Sequence, residues 1–175
     1  TMIKSTAYRL QRFMIFLNPE SDSSGTGYHI NQALMAVGTG GIFGLGFGKS
    51  RQKFSYLPEA STDSIFAVIA EELGLIGATA LVVLFFIFGI RGYSIAKNAP
   101  DIFSRLVAIG VTTWVVGQAF LNIMAILSLL PLTGVPLPFI SYGGSSIIML
   151  MGACGILLNI SKHSQKGVEV ASNRF

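Results

Sequence analysis

Charge is scarce in this chain of 175 residues. Asp, Glu, Lys and Arg make up 11% of it and apolar residues 51%, against about 25% charged in an ordinary soluble domain. That shortage excludes a conventional solvated surface and points to the membrane class. Cysteine is nearly absent too. The single Cys154 excludes a disulfide within the chain and reads as a small hydrophobe in a packed helix. No stripe of basic and aromatic residues appears, and the net charge of +4 is modest, so no nucleic-acid partner is expected. Thr1-Met2-Ile3-Lys4 is followed by no apolar h-region and no small-residue cleavage site, so no signal peptide is read. A membrane chain that starts in mid-loop is expected to be part of a longer one.

Long uncharged runs are what the chain has instead. Leu73 to Ile90, Leu106 to Leu130 and Gly143 to Ile160 carry no charge. Each is close to the ~20 residues that cross ~30 Å of hydrocarbon as a helix. None shows the polar stripe of a soluble helix. The expected organisation is a large extracytoplasmic loop with short amphipathic helices over 1–64, a transmembrane helix over 65–90, a cytoplasmic loop over 91–105, a second transmembrane helix over 106–130, an extracytoplasmic loop over 131–142, a third transmembrane helix over 143–161 and a disordered cytoplasmic tail over 162–175. Within the first segment, Leu10, Phe13, Met14 and Leu17 follow helical spacing beside Lys4, Arg9 and Arg12, the pattern of a helix lying at a membrane surface.

The polar stretches carry the candidate chemistry. Residues 20–31 read as a turn-rich loop and Gln32 to Val37 as a short helix. Gly38 to Gly48 then holds six glycines, either a tight irregular loop or one whose amides approach an anion. It is not a Walker A box, because Gly48-Lys49-Ser50 would need glycine where Phe43 stands. Lys49, Arg51 and Lys53 alternate, so an extended strand puts all three on one face, solvated or facing an anion. Asp63 stands where the polar Tyr56–Thr62 loop, with Glu59 in it, becomes apolar helix. Glu71 and Glu72 follow inside that helix, where carboxylates are functional or paired. Glu71 lies about 80° from Asp63 around an ideal helix and Glu72 about 180°, which makes Glu71 the better companion. Gln118 and Asn122 share a face and read as amides joining neighbouring helices. Pro131 to Ser146 holds three prolines, three glycines and no charge, so a rigid re-entrant or surface loop is expected. Its end, Ser141, Tyr142, Gly143, Gly144 and Ser145, opens a helix, where hydroxyls and free amides suit a phosphate or sugar or simply cap the helix.

Sidedness follows from the short loops. The 91–105 link has three basic residues and the 131–142 loop none, so Asp63, the glycines and the basic trio are expected outside. There is no nucleotide pool there, so a synthetic reaction needs a substrate already activated, most naturally one held in lipid.

Two blocks carry a resemblance. Pro58-Glu-Ala-Ser-Thr-Asp63 with Glu71-Glu72-Leu73-Gly74, and Pro136-Leu-Pro-Phe-Ile-Ser-Tyr-Gly-Gly-Ser-Ser146, resemble the SEDS family (shape, elongation, division and sporulation). Tyr8 to Arg12, Phe16 to Pro19 and Gly25 to Tyr28 are similar to the start of its large loop. Leu157 to Ser161 is more similar to the division and sporulation branches than to the elongation branch. Ser64 departs from the family, which often has an aromatic residue there. The resemblance implies an all-α polytopic membrane protein, of whose ten helices this chain matches the last three and the loop before them. It implies a peptidoglycan glycosyltransferase of the bacterial cytoplasmic membrane that polymerises lipid II with an outward-facing site, Asp63 as catalytic base, and a class B penicillin-binding protein and other division proteins as partners. On that reading Lys49, Arg51, Lys53, Glu59, Glu71 and residues 141–145 attend the substrate. A divalent cation, Mg or Mn, could share Asp63 or Glu59. A lipid flippase and a non-catalytic division scaffold are the alternatives.

Overall fold

The computed structural model describes residues 26–49, 63–131 and 134–172; the expected amphipathic helix at the N-terminus lies outside them. Among the described residues four helices follow in order: α1 (Thr26–Gly40), α2 (Ile65–Lys97), α3 (Ile102–Ile126) and α4 (Gly144–Ser172). The described residues contain no strand. The protein is all-α, and α2, α3 and the Gly144–His163 part of α4 are long and apolar enough to cross a membrane.

The boundaries differ from the sequence expectation where polar residues sit on an exposed helix face. Helix α2 continues past Arg91 to Lys97, and α3 already begins at Ile102. The expected 91–105 loop therefore shrinks to a four-residue turn. Asp101 caps α3 by accepting from Ser104 N and Ser104 Oγ, both at 2.8 Å, which replaces the helix bonds that its first amides lack. The expected disordered tail is helical to Ser172. Helix α1 occupies residues 26–40, which read as loop except for Gln32 to Val37.

Small residues let α2 and α3 approach closely. Gly89, Gly92 and Ala96 face Ala108, Thr112, Val115 and Ala119, all buried. A methyl group on Gly92 would run into the Thr112 side chain, and one on Gly89 would lie 3.3 Å from Val116 Cγ2. In lipid, where apolar burial drives nothing, such contact is what holds helices together. Tyr93 Oη and Thr113 Oγ1 share a 2.9 Å hydrogen bond on the same seam. Toward the turn, Ala96 and Ala108 pack with Leu157 and Ile160 of α4. Toward the other end, Ala33 and Ala36 of α1, Phe66, Ala67 and Phe85 of α2, and Ala119, Ile123 and Ile126 of α3 close around Leu137.

Helix α2 is broken. Gly74 has φ 67° and ψ −165° inside it, a conformation that an L side chain rarely adopts. The pairs Gly92–Thr112, Tyr93–Thr113 and Gly89–Val116 fix the α2–α3 register and put Asn122 level with Val83. In a straight helix Asp63 would stand roughly twenty residues, about 30 Å, further on. Asn122 nevertheless bonds the Asp63 carbonyl at 2.8 Å. The break at Gly74 must therefore turn the first part of α2, residues 65–73, back alongside the second, which brings Phe66 and Ala67 onto Phe85.

The glycine-rich turn after α1 stitches that break. Leu45 N and Gly46 N donate to the Glu71 and Glu72 carbonyls, both at 3.0 Å, while Leu75 N and Ile76 N donate to Gly41 O and Ile42 O at 2.9 and 3.3 Å. Those α2 groups lost their helical partners at the break, and an unpaired backbone group in lipid costs several kcal/mol, as an order of magnitude. A side chain on Gly44 would enter this exchange, since its Cβ would lie 2.6 Å from Gly74 N. The Leu45 and Gly46 amides are thus occupied by protein carbonyls, not held open for an anion.

Candidate functional site around Asp63

Asp63 lies just before α2, half-buried, with Ser64 buried behind it. Two amides on one face of α3 build its surroundings. Asn122 Nδ2 donates to Asp63 O at 2.8 Å and to Val135 O at 2.7 Å. Gln118 Nε2 donates to Pro136 O at 2.9 Å. Asn122 thus joins α3 to the start of α2, as expected of an amide in a membrane helix, and both amides also bond the loop. They hold the proline-rich segment, whose backbone has no ladder of its own, down along α3. Leu137 N then donates to Ser141 Oγ at 2.7 Å. Phe139, at φ 65°, sets its ring 6.1 Å from that of Phe88, edge to face. Because Phe88 is level with Gly117 on the register above, the segment is re-entrant, dipping about 13 Å below the end of α3. Pro138, Phe139 and Ile140 close an apolar groove of about 250 Å³ with Leu81, Leu84, Phe85 and Phe88.

The carboxylate faces this segment. A methyl group built on Gly134, at φ 67°, would lie 3.6 Å from Asp63 Oδ2. The structure therefore brings together Asp63 and residues 134–137, which lie far apart in sequence. The amide of Asn122 is fixed by its two carbonyl partners, since turned over its oxygen would face both of them. Its Oδ1 is consequently left buried with no hydrogen-bond partner among the described residues, in a residue 2% exposed. Sequence reasoning missed Asn122 and Gln118 as parts of this site. Their four-residue spacing was the available signal.

The other expected residues are distributed unevenly. Ser141 is buried and its hydroxyl accepts from Leu137 N, closing the turn. Tyr142 and Ser145 are exposed and Gly143 half-buried. Helix α4 starts at Gly144, and its first helical bond is Ile147 N to Gly143 O at 3.0 Å. The amides of Gly144, Ser145 and Ser146 precede that bond. Glu71 is buried eight residues along the chain from Asp63, about 12 Å of backbone at helical rise. Glu72 is buried as well, and its Oε1 has no hydrogen-bond partner among the described residues. Lys49 is exposed and tied through Gly46 to the Glu72 end of that half-helix, not to the Asp63 end. Arg51, Lys53 and Glu59 lie outside the described residues. Among the described residues no group of three His, Cys, Asp or Glu gathers to hold a metal.

A bundle of apolar helices, one of them broken and stitched by a glycine-rich turn, with a re-entrant loop strapped beside an acidic residue, defines a multi-pass helical membrane protein. The family profile of FtsW/RodA/SpoVE cell cycle proteins matches residues 1–166. The chain belongs to that family. It is 48% identical over 164 residues to stage V sporulation protein E of Bacillus subtilis, covering 94% of this chain and 45% of that one. It is 47% identical to the probable peptidoglycan glycosyltransferase FtsW of Trichlorobacter lovleyi, covering 91% of this chain and 42% of the relative, and 46% identical to its Bacillus subtilis counterpart. It thus spans less than half the length of these relatives. A solved structure described as the structural coordination of polymerization and crosslinking by a peptidoglycan synthase complex matches with TM-score 0.68 and 28% identity, over 90% of this chain and 42% of that one.

Proposed function

We propose that the protein from which this chain comes is a peptidoglycan glycosyltransferase that polymerises lipid II during cell division, with Asp63 as its general base. The observation that carries the reading is the placement of Asp63. A half-buried carboxylate stands at one end of the bundle, its backbone clamped by Asn122 and its side chain turned to the re-entrant segment. Relatives named peptidoglycan glycosyltransferase support the reaction class.

In that reaction Asp63 takes the proton from the acceptor sugar hydroxyl. The hydroxyl oxygen attacks the anomeric carbon of the donor, and the bond from that carbon to the lipid pyrophosphate breaks. The electron pair leaves on the phosphate oxygen, where cationic side chains stabilise it. Arg51 and Lys53, which stand between the glycine-rich turn and Asp63 in sequence, are the proposed cations; Lys49, which alternates with them in sequence, stands at the Glu72 end of the half-helix, and the exposed N-terminus of α4 offers further donors. A divalent cation at Asp63 or Glu59 is a further proposal; the described residues alone do not assemble a ligand set for one. Three basic residues at the α2–α3 turn (Arg91, Lys97, Arg105) and none in the described part of the 127–143 connection support a cytoplasmic turn and an outward-facing Asp63 in the bacterial cytoplasmic membrane. A transpeptidase of the class B penicillin-binding type is the proposed partner, in keeping with the synthase complex that shares the fold.

The broken α2 and the re-entrant loop also suit transport, so a lipid-linked precursor flippase is the second reading. Purified full-length protein in vesicles, given lipid II, separates the readings. Glycan polymer is the expected result. Movement of lipid II between leaflets without polymer means a flippase, and neither outcome means a division scaffold.

A further inference from the structure

The glycine-rich turn that stitches the break also projects a cap of apolar side chains. Phe43 and Phe47 are 83% and 88% exposed, with Ile42 and Leu45 exposed or half-exposed beside them and Leu75 and Ile76 exposed on the adjoining start of the second part of α2. Two phenylalanines that bare stand on a convex tip, not in a groove. We infer that this tip is a membrane-interface anchor, seated at the boundary between lipid headgroups and acyl chains.

Three observations lead to lipid as the occupant. The first is height. From Leu75 to Lys97 the second part of α2 has 23 residues, about 34 Å of helix, against a hydrocarbon core of ~30 Å. With Lys97 and Asp101 at one polar boundary, Leu75 and the turn bonded to it arrive at the other. The second is backbone satisfaction. The Leu45, Gly46, Leu75 and Ile76 amides all donate to carbonyls within the tip, and Gly44 N donates to Gly40 O at 2.8 Å. Insertion into an apolar medium demands that economy of open donors, whereas a loop made for water has no need of it. The third is chemistry. No charged residue occurs from Ala33 to Gly48, the Glu71 and Glu72 side chains behind the turn are buried and so not presented by the tip, and the first charged residue to follow, Lys49, is exposed at its edge, where an ammonium reaches phosphate headgroups. Gly41, Gly44, Gly46 and Gly48, all at positive φ, turn the chain sharply enough to present its aromatic residues outward. The anchor stands eleven residues from Asp63 at the far end of the folded-back half-helix and so sets the height of that carboxylate against the bilayer. The inference rests on these observations and not on the glycosyltransferase reading.

The test uses full-length protein in phosphatidylcholine–phosphatidylglycerol vesicles, with its other cysteines, Cys154 included, replaced by serine. Phe43→Cys and Phe47→Cys are labelled separately with a nitroxide, and collision with oxygen, which concentrates in lipid, is compared with collision with a water-soluble nickel chelate. The expected result is several-fold greater accessibility to oxygen at both sites, at interfacial depth. Greater accessibility to the chelate overturns the inference, because the tip is then in water. Low accessibility to both also overturns it, because protein then covers the tip. Unchanged melting temperatures show that the label, not unfolding, is being read.

Discussion

Asn122, buried near the C-terminal end of α3, holds the main-chain carbonyl of Asp63 at 2.8 Å with the same amide nitrogen that holds the Val135 carbonyl at 2.7 Å. One side chain thereby joins a membrane helix, the start of a second and a re-entrant loop. Replacing it with alanine leaves two carbonyls without their donor, and each unsatisfied buried group costs about 1–3 kcal/mol. Asn122→Ala is expected to lower the melting temperature and polymerase activity together. Asn122→Asp is expected to do worse, because it sets a carboxylate against two carbonyl oxygens. Thermal denaturation of the full-length variants in detergent checks the order.

Gly74 and Gly38 make a paired test of the break. At φ 67° a Cβ on Gly74 would lie 2.6 Å from Ile42 O and press into Gly44 N, so Gly74→Ala is expected to destabilise by about 1–3 kcal/mol from backbone strain alone, and more from the clash. Gly38 lies inside α1 with nothing within 4 Å of its Cβ. Gly38→Ala is expected to be neutral or to stabilise by about 0.5–1 kcal/mol. Equal effects in a melting experiment would contradict the stitched geometry.

The α2–α3 seam gives a similar contrast. A Cβ on Gly92 runs into Thr112, whereas Gly110 meets nothing within 4 Å. Gly92→Ala is expected to force the helices apart and lower the melting temperature, with Gly110→Ala near wild type. Combining Gly92→Ala with Thr112→Ala, which removes the clashing atoms, is expected to recover part of the loss.

At the turn, Asp101 has a pKa below the ordinary carboxylate value, first because Ser104 N–H donates to it and then because the Ser104 hydroxyl does. A folded-state pKa below the unfolded one means that this cap contributes its stability above the unfolded pKa and loses it as pH falls through the folded pKa. Amide exchange at Ser104 and Arg105 is expected to speed up, relative to neighbouring amides, as pH is lowered through that window. Asp101→Asn keeps an acceptor there and is expected to abolish the pH dependence.

The three apolar helices were legible because lipid leaves so little room for charge: Leu73 to Ile90 and Leu106 to Leu130 admit no other reading. Their ends were less so. Arg91 and Lys97 look like loop residues in sequence, yet they sit on exposed positions of a continuing helix. Gly74 gave no sign of a break, because glycine within an apolar run serves equally as a packing residue, as Gly89 and Gly92 do. Glu71 and Glu72 read as carboxylates inside a straight membrane helix, whereas the fold-back carries them to the stitched tip. Asp63 was legible as a candidate from its place at the change from polar to apolar. That residues 134–137 stand beside it was not, since two side-chain amides on a third helix decide it.

The central claim is that the Asp63 carboxylate performs the proton transfer. Asp63→Asn is a clean probe, because Asn122 grips the Asp63 main chain and the substitution leaves that bond in place. Full-length protein carrying Asp63→Asn, given lipid II together with the transpeptidase partner, is predicted to melt as wild type does and to make no glycan polymer. Polymer at the wild-type rate would contradict the account.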